Sequence, residues 1–290
     1  MSHGASKPLS EIYNMPAPVA APPQRVVSLV PSITESLFDL QLGSRLVGVT
    51  NYCIHPEDGV AKLPRVGGTK NPNIQKIIAL KPDLVIMNRE ENRLEDAQAL
   101  REAGIPVWAT HPQTVQDAIN LLWEIMYVFD EPVMVERVRW IERQMDWVAN
   151  AAKANRPVRV FVPIWYKPWM TFNSQTYIHD LLRTCGGENV FGHYRLQAAS
   201  SDAGQNTQEQ ENRYPCITLE DIIAARPEVI LLPDEPFAFT ADHVRELSKL
   251  DIPAARQQRI HLVDGSLLTW HGTRLAYALA EIPPLLAAQP

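Results

Sequence analysis

IIALKPDLVIMNREEN (residues 77–92) and IIAARPEVILLPDEP (residues 222–236) are one pattern written twice. Each holds two isoleucines, a small-residue helix end, a basic residue, proline, an acid, a branched apolar run and further acids. The lead-ins IQKIIALKP and LEDIIAARP place apolar residues at helical spacing and stop at proline. Proline cannot continue a helix and biases the preceding residue toward extended geometry. The runs DLVIMN and EVILLP are short and rich in branched residues, as strands buried on both faces of a parallel sheet are. Each stretch therefore predicts a helix, a tight turn, a strand, and an acidic loop at the strand's carboxyl end.

The duplication extends outward. RVVSLVPS (25–32) and VRVFVPIW (158–165) read as opening strands, each with proline near its end. TESLFDLQLG reads as a helix with Ser32 or Thr34 as N-cap and Gly43 as C-cap, answered by TYIHDLLRTCGG in the second half. RLVGVT (45–50), GIPVWAT (104–110) and QRIHLVDG (258–265) supply further strands. Alternating strands and helices imply parallel sheets covered on both faces. The expected fold is α/β: two Rossmann-like lobes, 25–130 and 156–290, joined by one long helix over 131–155.

That helix rests on DEPVMVERVRWIERQMDWVANAAKANRP, where Val138, Ile141, Met145 and Val148 keep a 3–4 spacing and Pro132 suits a first turn. About 23 residues would make a rod of roughly 35 Å, stiffer than a Gly/Ser hinge. Residues 1–24 read as a Pro/Ala-rich tail. Residues 196–213 are polar and read as a long loop in the second lobe.

Composition excludes several classes. A net charge of −6 without a basic run is a poor match for nucleic acid. Cys53, Cys185 and Cys216 are odd in number and far apart, so they form neither a disulfide framework nor a CxxC metal site; Cys185 and Cys216 read as small packed residues. No run reaches the ~18 apolar residues of a membrane helix. The opening MSHGASKPLSEIYNMPAPVAAPPQ lacks a basic start and an unbroken apolar segment, so the chain as written reads as cytoplasmic. Neither a GxSxG elbow nor a phosphate or dinucleotide loop occurs, so no enzyme is expected and no cofactor is required.

RVVSLVPSITESLFDLQLGSRLVGVT, LPRVGGTKNPNIQKIIALKPDLVI, CGGENVF and ITLEDIIAARPEVIL, taken in order, resemble the helical-backbone substrate-binding proteins of ABC importers. That family serves vitamin B12, iron–siderophores, haem and metal ions, and the resemblance is nearest to its B12- and siderophore-binding branch. It covers roughly residues 25–285. It implies a monomeric binding protein that captures a corrinoid or an iron chelate in a cleft between lobes and meets an ABC permease. The alternative is a cytoplasmic sensor of a corrinoid, haem or a metal on the same scaffold; an enzyme using the cleft acids is a third reading. The family is extracytoplasmic, against the reading of the N-terminus. In it, one surface glutamate per lobe docks onto the permease. Glu220 matches in the second lobe, and in the first the place falls near Leu94, with Glu91 and Glu95 alongside.

Ligands of parallel sheets bind beyond the carboxyl ends of the strands. The loops there carry Tyr52, Trp165, Tyr166, Trp169 and Trp270, flat walls for a corrin, porphyrin or aromatic chelate, or else packing for the inter-lobe seam. Trp108, inside a strand, reads as core. Glu90 and Glu91 in one half and Asp234 and Glu235 in the other recur at equivalent places, to bind a cationic ligand or to hold arginines. His271 joins the ligand set, and His55, His111 and His271 are the candidates for a metal gathered from loops, without any HxxxH spacing.

Overall fold

The computed structural model describes residues 19–194 and 213–287 of the 290-residue chain. The expected loop at 196–213, apart from Arg213, and most of the expected tail lie outside the described residues. The described residues divide into two compact units. One holds those up to Pro112, Gln116–Trp140 and His271–Thr273; the other holds Gln113–Val115, Ile141–Trp270 and those from Arg274 onward.

In the first unit β1 (Val26–Ser28), β2 (Leu46–Val49), β3 (Leu84–Asn88) and β4 (Val107–Thr110) form a parallel sheet of order β2-β1-β3-β4. The second carries β5 (Val158–Phe161), β6 (Trp169–Met170), β7 (Gly187–Asn189), β8 (Cys216–Ile217), β9 (Val229–Pro233) and β10 (Ile260–Val263). Four of these form a parallel sheet of order β10-β9-β5-β7, while β6 and β8 pair antiparallel. Read from its other edge, β7-β5-β9-β10 reproduces the order of the first sheet, so the written repeat is a repeat of topology. Every residue of β1, β3, β4 and β9 is buried, as branched runs in a covered sheet should be.

The duplicated words do the same physical work in both units. Ile77 and Ile222 are fully buried on the helices Ile74–Ala79 and Leu219–Ala225. Asn73 caps the first helix by accepting the Lys76 N–H; Thr218 caps the second through a capping box with Asp221. The basic residue before each proline, Lys81 and Arg226, adopts the left-handed conformation at φ 48°, which ends the helix and turns the chain into the strand. The acid after the proline then ties down the start of the neighbouring strand. Asp83 accepts the Gln24 and Arg25 N–H groups at 2.7 and 2.9 Å. Glu228 accepts the Arg159 N–H at 3.0 Å and the Arg156 guanidinium at 2.9 Å. The two arginines match as well: Arg25 donates to Leu80 O and Arg159 to Ala225 O, both at 2.6 Å, closing the last turns of the helices.

Several local expectations are corrected. The first helix begins earlier, at Pro31, and runs to Asp39 with no side-chain cap; Thr34 Oγ1 donates instead to Val30 O. Its C-cap is Leu40, and Gly43 opens a separate 3-10 turn. CGGENVF contains strand β7. The long helix is Val135–Ala152, 18 residues or about 27 Å, with Pro132 ahead of it, and the division between units falls inside it, after Trp140. Trp108 is core, as read. Cys185 is buried, but Cys216, read as packed, is exposed on β8.

Candidate functional site

In the first unit the carboxyl ends of β1 to β4 converge on a polar cluster built around Asn88, the last residue of β3. Asn88 accepts the Glu90 N–H through Oδ1 at 2.8 Å, and its Nδ2 lies 3.4 Å from both Thr110 Oγ1 and His271 Nε2. Asn92 Oδ1 accepts the Asn88 N–H, while Asn92 Nδ2 donates to Leu29 O and Thr69 O. These two asparagines shape the acidic loop from inside. Lys70 donates to Glu90 O at 2.6 Å, and Glu90 Oε1 lies 2.9 Å from His111 Nε2. Asn88 Nδ2 can only donate, so His271 Nε2 accepts and the ring is neutral. Burial, reinforced by nearby His111, holds the His271 pKa down at about 4.

His271 belongs to the segment His271–Thr273, which joins the first unit although its neighbours on both sides belong to the second. The Thr273 N–H donates to Ser36 Oγ at 3.0 Å, and Ser36 Oγ donates to Ser32 O at 2.7 Å. Gly272 has φ +83°, and a Cβ there would lie 2.2 Å from Ser36 Oγ. Only glycine lets this segment lie so close to the first helix.

In the second unit the carboxyl ends of β5, β9 and β10 carry aromatic and acidic side chains in distinct roles. Trp169, read as a ligand wall, is 7% exposed. Its ring stacks on Phe239 at 5.9 Å and meets Tyr166 edge-on at 4.9 Å. Trp169 is therefore core, packed with Phe161, Phe191 and Ile217. Tyr166 is half-buried and donates its hydroxyl to Glu246 at 2.8 Å. Trp165 is 43% exposed and meets Phe237 edge-on at 5.5 Å, leaving much of its ring in solvent. Trp270 is buried, with the Arg274 guanidinium 5.3 Å from its ring centre.

The second pair of acids is put to structural use. Asp234 accepts the Gly265 N–H at 2.7 Å. Glu235 accepts the Thr269 hydroxyl at 2.7 Å. Burial pushes the Glu235 carboxyl up, opposed by hydrogen bonds from Thr269 and Trp270. Arg274 reaches Asp264 at 3.7 Å and Ser266 Oγ at 3.1 Å.

The other predicted residues are placed as follows. Tyr52 stands 61% exposed in the loop after β2. Glu91 is half-buried beside Glu90, and His55 is half-buried near the first turn of Glu57–Val60. His111 and His271 come near each other, but His55 does not complete a group with them. Among the described residues no three His, Cys, Asp or Glu side chains are gathered to hold a metal ion. Glu220 is exposed in the first turn of Leu219–Ala225 and Glu95 in the first turn of Leu94–Glu102. These helices are not equivalent in the repeat: the position matching Glu220 is Gln75, in Ile74–Ala79. Sequence reasoning missed Asn88, Asn92, Lys70 and the strand-tying acids Asp83 and Glu228. The last two were signalled by the repeat itself, as the acid after each proline.

Among the described residues no helix is long and apolar enough to cross a membrane. The model of the Periplasmic binding protein family matches residues 26–261. The chain is 26% identical over 263 residues to the vitamin B12-binding protein of Vibrio parahaemolyticus serotype O3:K6 (strain RIMD 2210633), covering 90% of this chain and 88% of that protein. In fold it resembles the periplasmic vitamin B12 binding protein of Vibrio cholerae, with a TM-score of 0.72 at 22% identity over 91% of this chain and 97% of that one. It is similarly close to a periplasmic heme-binding protein from Roseiflexus sp. RS-1 in apo form, with a TM-score of 0.71 at 23% identity over 91% and 97%. These relatives are periplasmic and hence extracytoplasmic, which overturns the cytoplasmic reading drawn from the N-terminal composition.

Proposed function

Because the chain belongs to the periplasmic binding protein family, we propose that it captures a corrinoid or an iron chelate such as haem and delivers it to an ABC permease, with no chemistry of its own. The observation that carries the ligand class is the exposure of large rings at the carboxyl ends of the strands: Tyr52 after β2 and Trp165 after β5. A flat macrocycle stacks on such rings, and each stacked ring adds on the order of 0.5–1.5 kcal/mol beyond its burial. The vitamin B12 and heme names of the relatives point to the same class. The half-buried Glu90–His111 pair supplies a hydrogen-bonding group at the first site for a polar ligand edge. Glu220, exposed in the first turn of its helix, is the docking residue proposed for the second unit; Glu95 is the weaker candidate, since Gln75 takes the equivalent place.

Tryptophan-fluorescence titration with cyanocobalamin, cobinamide and haemin tests the reading. Saturable quenching at micromolar or lower ligand, weakened in Trp165→Ala and Tyr52→Ala, is expected for one of the three. Absence of quenching and of co-elution on gel filtration for all three would remove this ligand class.

A further inference from the structure

We infer that Arg65 is a positioning residue for ligand capture, locking the loop after β2 so that Tyr52 and Ile54 form one fixed apolar wall. The inference rests on the ligand reading above and adds Ile54 and Arg65 to it. Arg65 Nη1 donates to Thr50 O at 2.8 Å and to Cys53 O at 2.7 Å. One cationic nitrogen thus closes both ends of a four-residue turn, and hydrogen bonds to charged donors are the strong ones.

Further bonds hold the same loop. The Asn51 N–H donates to Gly67 O at 2.8 Å, and the Tyr52 N–H to Thr50 Oγ1 at 3.3 Å. Cys53 is fully buried, its Sγ 3.1 Å from Thr34 Oγ1 and 3.2 Å from Thr50 Oγ1. Tyr52 and Ile54, on either side of it, stand 61% and 54% exposed. Gly68 lies beneath the Tyr52 ring, where an added Cβ would come within 3.4 Å.

Single exposed apolar residues are ordinary on protein surfaces. Here two flank a buried anchor on a loop whose Thr50 and Cys53 carbonyls and Asn51 and Tyr52 amides are hydrogen-bonded. Their exposure contributes nothing to folding, whereas a wall ordered in advance removes an ordering cost from binding. The position, at the carboxyl end of a parallel strand, is where ligands of such sheets bind.

The test uses the full chain in three forms: wild type, Arg65→Met and Arg65→Lys. Hydrogen exchange is read at residues 51–54. Affinity for cyanocobalamin and haemin is read in these forms and again in a Tyr52→Ala/Ile54→Ala background. Arg65→Met is expected to speed exchange at 51–54 by about tenfold or more while β1 and β3 keep their rates. Lysine restores part of the protection. Affinity for whichever probe the wild type binds falls about tenfold with Arg65→Met and falls no further in the double-alanine background. Unchanged exchange at 51–54 in folded Arg65→Met overturns the inference, as does an equal affinity loss in both backgrounds. A wild type that binds neither of these probes nor cobinamide sinks the ligand reading and the role in capture with it; the exchange arm then decides separately whether Arg65 holds the loop. Should Arg65→Met not fold, Arg65→Lys carries the same comparison alone.

Discussion

Glu228 accepts the backbone N–H of Arg159 at 3.0 Å, and the same carboxylate takes two guanidinium hydrogen bonds from Arg156. The Arg156 guanidinium, with help from the Arg159 amide, holds the Glu228 carboxyl down at about 2. The folded pKa lies below the ordinary value of 4.5, so the stabilisation is fully present above pH 4.5 and is lost as pH falls toward 2. Arg156 is largely solvent-exposed, so water screens the pair and reduces its contribution. Glu228→Gln should therefore lower the urea midpoint at pH 7, and the gap to wild type should narrow below pH 4.5 and nearly close at about pH 2. A gap that is constant with pH would rule out the ion pair as its origin.

His271 is buried and neutral, with a pKa near 4 against an ordinary 6.5. Below pH 6.5 the unfolded chain takes up this proton before the folded chain does. Stability should therefore fall as pH drops from 6.5 to 4 and level off beneath that, as far as this group is concerned. His271→Gln should flatten that segment of the stability–pH curve. In the wild type, the ring resonances should show no titration above pH 5.5 by NMR.

Trp165, in the loop after β5, and Trp169, four positions on in β6, should behave oppositely. Trp169 packs on Phe239 and Tyr166, so Trp169→Ala should cost about 3–5 kcal/mol in denaturant unfolding. Trp165 keeps much of its ring in water, so Trp165→Ala should cost no more than about 1 kcal/mol while weakening ligand-induced quenching. Similar stability losses for the two would contradict the assignment.

Gly272 combines φ +83° with a side-chain position filled by Ser36 Oγ. Gly272→Ala should destabilise by roughly 1–3 kcal/mol. Ser36→Ala removes the clash but not the left-handed backbone, so the double variant should recover only part of the loss. Full recovery would assign the cost to the clash alone.

Much of the architecture was legible in the sequence because its causes are local. A proline after an apolar helical turn stops the helix, and a branched run after it makes a buried strand. Writing that unit twice sufficed to predict two parallel sheets. The loops at strand carboxyl ends, where the candidate site is proposed, can be read in order as well. What each side chain does there was decided by the tertiary structure. Trp169 became core because Phe239, 70 positions later in the chain, stacks on it. Asp83 and Glu228 became strand ties because the backbone amides they accept lie 58 and 69 positions away. His271 became a buried neutral ring because the chain brings it to Asn88, 183 positions earlier. Spacing along a sequence reports periodicity within an element; it carries no record of which distant residue arrives to desolvate a ring or accept its proton.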